Sequence, residues 1–402
     1  AESIATDLYR QEQQARKVAQ ESQEAEQTQR LIATNAERLA ERREYDANVL
    51  LVQKNWEQSN LEDFHRLLNA LQPQSGEADL RGFEWYFWRN SASRGFAEIA
   101  GEFAVSSVAF SPDGKLFASG GDASRDNGEV RIWNTATRQL VRELPPHEYR
   151  VHDVVFSPDG RFLATGCGKH SKGGWAKVWD LRTGDAVFQQ YFRNTVKSVA
   201  FSPDPEGAKL VAGSSVLIGK WGALKVWDWR TGEEQFSIET EDKGYRGVTF
   251  TPDGKSIAAG SRENGVSGST IEIWNLETKE VEVLPAHADF VFAISIRPAK
   301  EDSELGFRIA AAVGSWNGPP GVVKQWDENR QQLPVQLVGH DGRVWDVCFS
   351  HDGRQIATAS FDNSIKIWDA ESGIELMTLR GHKSYALSAT FSPDDKRCLL
   401  YT

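Results

Sequence analysis

The chain has 402 residues, long enough for a large closed core plus an appendage, with net charge −11 and a pI of 5.4. That acidity excludes a general binder of nucleic-acid backbone, which would need a basic face. No apolar run is long enough to span a bilayer and no signal-peptide pattern is present, so any anchor is expected upstream of Ala1.

Residues 1–44 are polar and rich in Glu, Gln, Ala and Arg, without Gly or Pro. Ile4, Leu8, Gln11, Ala15, Val18, Ser22, Ala25, Gln29, Ile32, Ala36 and Leu39 follow a 4-3 spacing, and most are apolar. The pattern predicts a helical stalk or weak coiled coil, through which the chain would self-associate; a single solvated helix is the alternative.

Residues 45–83 form the next segment. Val49, Leu50, Val52 and Trp56 precede a break at Ser59-Asn60, and Leu61, Phe64, Leu67, Leu68 and Leu71 follow it. This spacing predicts a helical hairpin ended by Pro73 and Gly76, after which Asp79-Leu80-Arg81-Gly82-Phe83-Glu84-Trp85 connects to a third region, residues 84–402.

In that region six stretches end in Trp followed by Asp or Asn, at Trp133, Trp179, Trp227, Trp274, Trp326 and Trp368, spaced 46, 48, 47, 52 and 42 residues apart. A period of this size means a repeat architecture. Each unit opens with an alternating strand such as Val105–Phe110 or Val151–Phe156. A turn such as Ser111-Pro112-Asp113-Gly114 comes next, then a second strand, the Trp-bearing third strand and a fourth. Pro presets one backbone torsion of the turn and Gly accepts a positive one. Four short strands per period around a ring make a β-propeller blade.

These residues resemble the WD-repeat family from about residue 84 to 402. In the repeat ending at Trp368 the resemblance implies a buried hydrogen-bond tetrad of His340, Ser360, Asp362 and Trp368. Other repeats keep parts of it: His147 and Thr165 precede Trp179, and His287 precedes Trp326. A structural role is expected for His147, His287, His340 and His382. His147-Glu148 and His152 miss zinc-protease spacing by one residue. Cys167, Cys348 and Cys398 match no metal motif and read as buried structural thiols. No metal and no cofactor are expected.

The last unit, from Tyr385 to Tyr401, supplies only two strands, while Glu84–Asn90 aligns with Glu129–Thr135 at a 45-residue offset. Residues 85–89 and 96–100 are therefore expected as the third and fourth strands of a blade begun by the C-terminus. The expected fold class is mainly β, a seven-bladed propeller whose last blade is shared between the termini, behind the helical stalk and hairpin. Closure of this kind removes two open sheet edges.

The polar stalk, the hairpin and Asp-Leu-Arg-Gly-Phe-Glu-Trp ahead of WD repeats look like bacterial multidomain proteins of the planctomycete type. Many of these carry a serine/threonine kinase domain and one membrane span upstream. The resemblance implies a regulatory part of a larger bacterial signalling protein, with Met377 the single Met of the chain. No kinase motif lies within the chain itself.

Between second and third strands, five repeats carry eight or nine residues where the Trp368 repeat has four. Insertions on one face of a repeat protein mark a binding surface. These loops hold Arg125, Lys169, His170, Lys172, Trp175, Lys220, Trp221, Arg262, Glu263, Trp316 and Asn317. Trp and Arg anchor interfaces, and the cations suit an acidic protein or peptide. The alternative for each loop Trp is a lid packed on its own blade. The leading expectation is a non-catalytic interaction scaffold or docking module; the others are a small-ligand sensor and a propeller enzyme with a site in the central channel. The first strands offer that channel Ser106, Asp153, Ser198, Arg246, Ser295 and Asp346, and Asp153 and Asp346, at matching positions, are expected to hold neighbouring backbone or basic groups.

Overall fold

The computed structural model describes residues 2–58, 60–73, 79–94, 104–124, 127–169, 172–215, 222–263, 268–297, 307–315, 318–380, 382 and 384–401. The chain divides into two compact units, Ala1–Leu80 and Arg81–Thr402.

The first unit is a helical hairpin. α1 (Glu2–Glu57) runs through the predicted stalk and the first arm of the hairpin without a break, as a stretch lacking Gly and Pro can. α2 (Leu61–Ala70) begins at Asn60, whose side chain accepts the Asp63 N–H. The two helices bury Val49 and Val52 against Phe64 and Leu68, with Trp56 and Phe64 rings 5.1 Å apart. Asp46 is fully buried and pairs with Arg42 at 3.3 Å, and Arg42 also donates to the Leu80 carbonyl. Higher up α1, Ile32 and Leu39 are exposed. No described helix is long and apolar enough to cross a membrane.

The second unit opens with α3 (Phe83–Arg94) and continues as six antiparallel blades. The first holds β1 (Ala104–Phe110), β2 (Leu116–Ser124), β3 (Asn127–Asn134) and β4 (Leu140–Glu143). The second holds β5 (Val151–Phe156), β6 (Phe162–Lys169), β7 (Gly173–Asp180) and β8 (Ala186–Phe192). The third holds β9 (Val196–Phe201), β10 (Lys209–Ser214), β11 (Gly222–Asp228) and β12 (Glu233–Thr240). The fourth holds β13 (Lys243–Phe250), β14 (Ser256–Glu263), β15 (Ser269–Asn275) and β16 (Val281–Pro285). The fifth has three strands, β17 (Phe290–Ile296), β18 (Ile309–Gly314) and β19 (Val322–Trp326). The sixth holds β20 (Val344–Phe349), β21 (Gln355–Ser360), β22 (Ile365–Asp369) and β23 (Glu375–Leu379). A two-stranded sheet, β24 (Ser388–Phe391) with β25 (Cys398–Tyr401), lies between the sixth blade and β1.

The propeller is therefore six-bladed, and the seventh blade shared between the termini does not form. Residues 85–89 are helical, and residues 96–100 lie outside the described residues. The aromatic run that read as a strand also fits helical spacing: Phe83 and Phe87, one turn apart, bring their rings to 5.7 Å. Docking then selects the helix. Phe83 meets Phe391 of β24 edge-on, its N–H donates to Gln355 of β21, and buried Glu84 accepts from the same Gln355 side chain. Strand propensity is weak enough to be overridden by such packing.

Two local rules repeat from blade to blade. In the first turn a hydroxyl and a carboxylate hold the backbone: Ser111 Oγ accepts the Leu116 N–H while Asp113 accepts the Lys115 N–H, and Gly114 takes φ +67. The same contacts recur at Ser350 and Asp352. After the third strand, the Asp or Asn that follows Trp accepts the N–H groups two and three residues on, as Asn134 does from Ala136 and Thr137, and Asp369 from Glu371 and Ser372. The Trp-Asp pair is thus a core anchor followed by a turn former. Between blades, buried aliphatics and these Trp rings form the core, for example Trp227 with Val196, Val199 and Phe192.

Candidate interaction face and central channel

The network around Trp368 shows how a blade fixes the end of its sheet. Asp362 Oδ2 lies 2.8 Å from His340 Nδ1, and Thr358 Oγ1 lies 2.7 Å from His340 Nε2. Trp368 Nε1–H donates to the same Thr358 oxygen at 2.8 Å. A carboxylate only accepts, so Nδ1 carries the hydrogen and Nε2 accepts from the Thr358 hydroxyl. Burial raises the Asp362 pKa, but the hydrogen bonds from His340 and Ser364 outweigh it and hold that carboxyl well below its usual range. Thr358, not Ser360, bridges the ring nitrogens; Ser360 is buried and accepts the Asp362 N–H. Register gives the reason. Trp368 stands opposite Ile356, so the hydroxyl two residues further along β21, on the same face, is within reach. Trp133 with Ser119, and Trp179 with Thr165, repeat the relation. Counting fourteen residues back from Trp in those blades, and ten in the sixth with its shorter link, would have found Thr358. His147 Nε2 meets Thr165 at 2.9 Å in a reduced version, whereas His287 is exposed at φ +48 and joins no such network.

The first strands β1, β5, β9, β13, β17, β20 and β24 surround a central cavity of about 880 Å³. At one corresponding position, β1, β5, β9, β13, β17 and β20 each give a residue to its wall. Ser106, His152, Lys197, Phe292 and Trp345 are each the unpaired residue of a β-bulge, which throws the side chain off the ladder. Arg246 holds the position in β13, where the bulge falls on Gly247 at φ +58. Read round the ring, this position is basic through β5, β9 and β13 and apolar through β17 and β20.

The next position links neighbouring strands. Asp153 accepts from the Val199 N–H at 2.9 Å and the Ser107 hydroxyl at 3.0 Å, and Ser107 accepts the Val154 N–H. Ser198 accepts the Val248 N–H, Asp346 the Ala389 N–H, and Ser388 the Val108 N–H, while in β17 the link comes from further along, where Ser295 accepts the Phe349 N–H. Burial lifts both Asp153 and Asp346 to about 6. Such values suit an acid or base, but both carboxylates are committed to the strand beside them. Among the described residues no group of three His, Cys, Asp or Glu is placed to hold a metal. The three cysteines are not disulfide-bonded; burial pushes Cys167 up to about 11 and Cys348 to about 12.

Register places the starts of first strands beside the ends of second strands, as Val344 lies opposite Ser360. On this end of the propeller a ladder of stacked rings crosses from blade to blade. Phe290 to Phe292 is 5.4 Å, Phe292 to Trp345 5.3 Å, Trp345 to Phe361 4.9 Å, and Phe361 to Tyr385 4.3 Å with planes 6° apart. Arg262 lies over Phe290, Arg246 over Trp345 and Arg343 over Phe361. Tyr385 is 51% exposed at the end of the ladder.

Of the residues expected on this face, Lys169 ends β6 on the cavity wall, and Lys172 is exposed in the following turn. Trp175 lies in β7 opposite Cys167; its indole donates to Glu148 at 3.2 Å and meets Tyr191 edge-on at 5.2 Å. It packs on its own blade. Arg125, Lys220, Trp221, Trp316 and Asn317 lie outside the described residues. The second and third strands reach into the stretches that read as long loops, leaving only residues 170–172 between β6 and β7. Sequence reading missed the ring ladder because it searched the insertions alone; aligning the residue after the opening Val of each first strand would have shown Phe292 beside Trp345.

The WD domain, G-beta repeat model matches residues 97–134, 138–180 and 331–369. Apoptotic protease-activating factor 1 of Rattus norvegicus is 30% identical over 152 residues, which is 38% of this chain and 11% of that protein. Nuclear distribution protein PAC1 of Arthroderma benhamiae is 29% identical over 170 residues, 40% of this chain and 34% of that protein. An mRNA export factor of Danio rerio is 34% identical over 121 residues, 30% of this chain and 31% of that protein. The match thus spans from about a tenth to a third of these relatives. The chain carries WD40 repeats on a β-propeller.

Proposed function

We propose that this segment is a non-catalytic scaffold that docks a protein or peptide partner on the ladder end of the propeller. The observation that carries the reading is the run of stacked rings ending at half-exposed Tyr385, flanked by Arg343 and by the cations of the channel mouth. Rigid aromatics with arginines beside them are the usual anchors of an interface. Cations on an otherwise acidic molecule favour an acidic segment. The related proteins carry names from three different processes, which suits a repeat used for binding rather than for one reaction. In a peptide array, acidic peptides with apolar residues are expected to bind the intact protein. The folded Phe361→Ala/Tyr385→Ala variant is expected to bind them at least about tenfold more weakly. Equal retention by both proteins overturns the reading.

The wider setting is a regulatory half of a bacterial signalling protein, with a serine/threonine kinase domain and one membrane span upstream. Its support is the order of polar stalk, hairpin, Asp79–Trp85 connector and propeller. Reading the gene on both sides of this segment tests it: a kinase domain and a span upstream support it, and a stand-alone scaffold sinks it. Self-association through the stalk belongs to the same reading and would place Ile32 and Leu39 in the contact. Sedimentation of the chain and of its Ile32→Glu/Leu39→Glu variant at equal mass would sink that part.

A further inference from the structure

We propose that the central channel binds a small soluble polyanion, a phosphate ester or an oligocarboxylate, on the basic arc formed by Arg150, His152, Lys197 and Arg246. This goes beyond partner docking on the ring ladder, whose Phe292, Trp345, Phe361 and Tyr385 line the same cavity, and it rests on the cations rather than on those rings. Arg246 lies over Trp345 with its guanidinium carbon 4.9 Å from the ring centroid, and among the described residues that guanidinium donates no hydrogen bond. Stacking occupies the face of a guanidinium and leaves its in-plane N–H groups for an oxyanion. Lys197 Nζ is 3.3 Å from His152 Nε2, which also lies 3.3 Å from the Gly168 carbonyl, so the ring and the amine sit side by side at the cavity wall. Arg150 is fixed by donating Nε–H to Ser106 at 2.8 Å. All four residues line the same cavity of about 880 Å³, a size suited to a small molecule.

None of Arg150, Lys197 and Arg246 forms an ion pair among the described residues. The channel carboxylates Asp153 and Asp346 are turned to backbone N–H groups of neighbouring strands, and Asp122, the remaining acid on the wall, has one buried oxygen without a hydrogen bond. Burial and then the mutual repulsion of the cations hold Lys197 well below its usual pKa; for His152, burial acts first, then Lys197 and the two arginines. Clustered cations that form no ion pair are costly, and a ligand bearing several negative charges relieves that cost.

The test is titration calorimetry of the whole chain with pyrophosphate and, separately, with citrate, alongside an octa-glutamate peptide. Binding of either small anion with Kd below about 1 mM is expected, weakening with salt. The tighter of the two tells phosphate from carboxylate. Arg246→Gln and Lys197→Met are each expected to weaken it at least about tenfold, and Lys197→Arg to retain it. Lys197→Arg also serves if Lys197→Met fails to fold. The inference is overturned if neither anion binds with Kd below about 1 mM, if Arg246→Gln binds as tightly as the parent, or if only the peptide binds and pyrophosphate does not displace it. Those results leave the docking reading standing, because that rests on Phe361 and Tyr385 and not on the cations.

Discussion

Thr358 is one atom group serving two buried rings, so its loss should exceed that of an ordinary hydroxyl. Thr358→Val keeps the shape but strands Trp368 Nε1–H and removes the donor to His340 Nε2. A cost of about 2–4 kcal/mol is expected in urea unfolding, against about 1 kcal/mol for Ser360→Ala, which loses one backbone contact. Equal costs would argue against the bridge. His147 makes a pH prediction. Burial first, and the Lys177 charge second, depress it to about 3, and its Nδ1 is buried without a partner. The folded state therefore keeps it neutral while the unfolded chain protonates it near 6.5. Its contribution is present above pH 6.5 and lost as pH falls toward 3, by about 1.4 kcal/mol per unit. His152 acts in the same sense, whereas Asp153 and Asp346, raised in the fold, favour folding as pH drops from about 6 to 4. The difference between parent and His147→Gln isolates the one residue: the variant's stability should fall less between pH 7 and 5. Parallel curves would refute it.

At the level of elements, α3 shows how a helix can stand where a blade strand is expected. Phe83 is almost fully buried against Phe87 and Phe391, and Gln355 ties both the Phe83 N–H and Glu84. Phe83→Ala should cost about 3–5 kcal/mol by urea unfolding, as for a large core ring. A change under 1 kcal/mol would mean that α3 is a loose appendage. The residues that misled the reading, Trp85 to Trp88, are good strand formers and also good helix-face aromatics; periodicity over so short an apolar run does not separate the two. The blade strands were legible because alternation runs along each of them and a turn with a stated chemistry follows, as at Ser111–Gly114. The tetrad was legible as to His340, Asp362 and Trp368 but not as to its hydroxyl, since that choice depends on strand register rather than spacing.

At the scale of the molecule, hydrogen bonds join first strands β1 to β5, β5 to β9, β9 to β13, β17 to β20 and β20 to β24, and the Val108 N–H of β1 donates to Ser388 of β24. β24 and β25 are the last link. Deleting residues 384–402 should uncover Val108 and the sixth blade together, and lower the midpoint of thermal unfolding by more than about 10 °C. An unchanged midpoint would show that the six blades hold without that sheet.

The sequence by itself determined the repeat, the strand order within a blade, the turns and the Trp-Asp anchors, because each of these is local: a side chain and the few backbone groups beside it. Tertiary structure alone decided that residues 85–89 are helical, that Thr358 joins His340 to Trp368, and that the ladder from Phe290 to Tyr385 faces a basic arc across one channel. Those outcomes depend on which residues of different blades meet, and strands forty or more residues apart acquire their neighbours only when the ring closes.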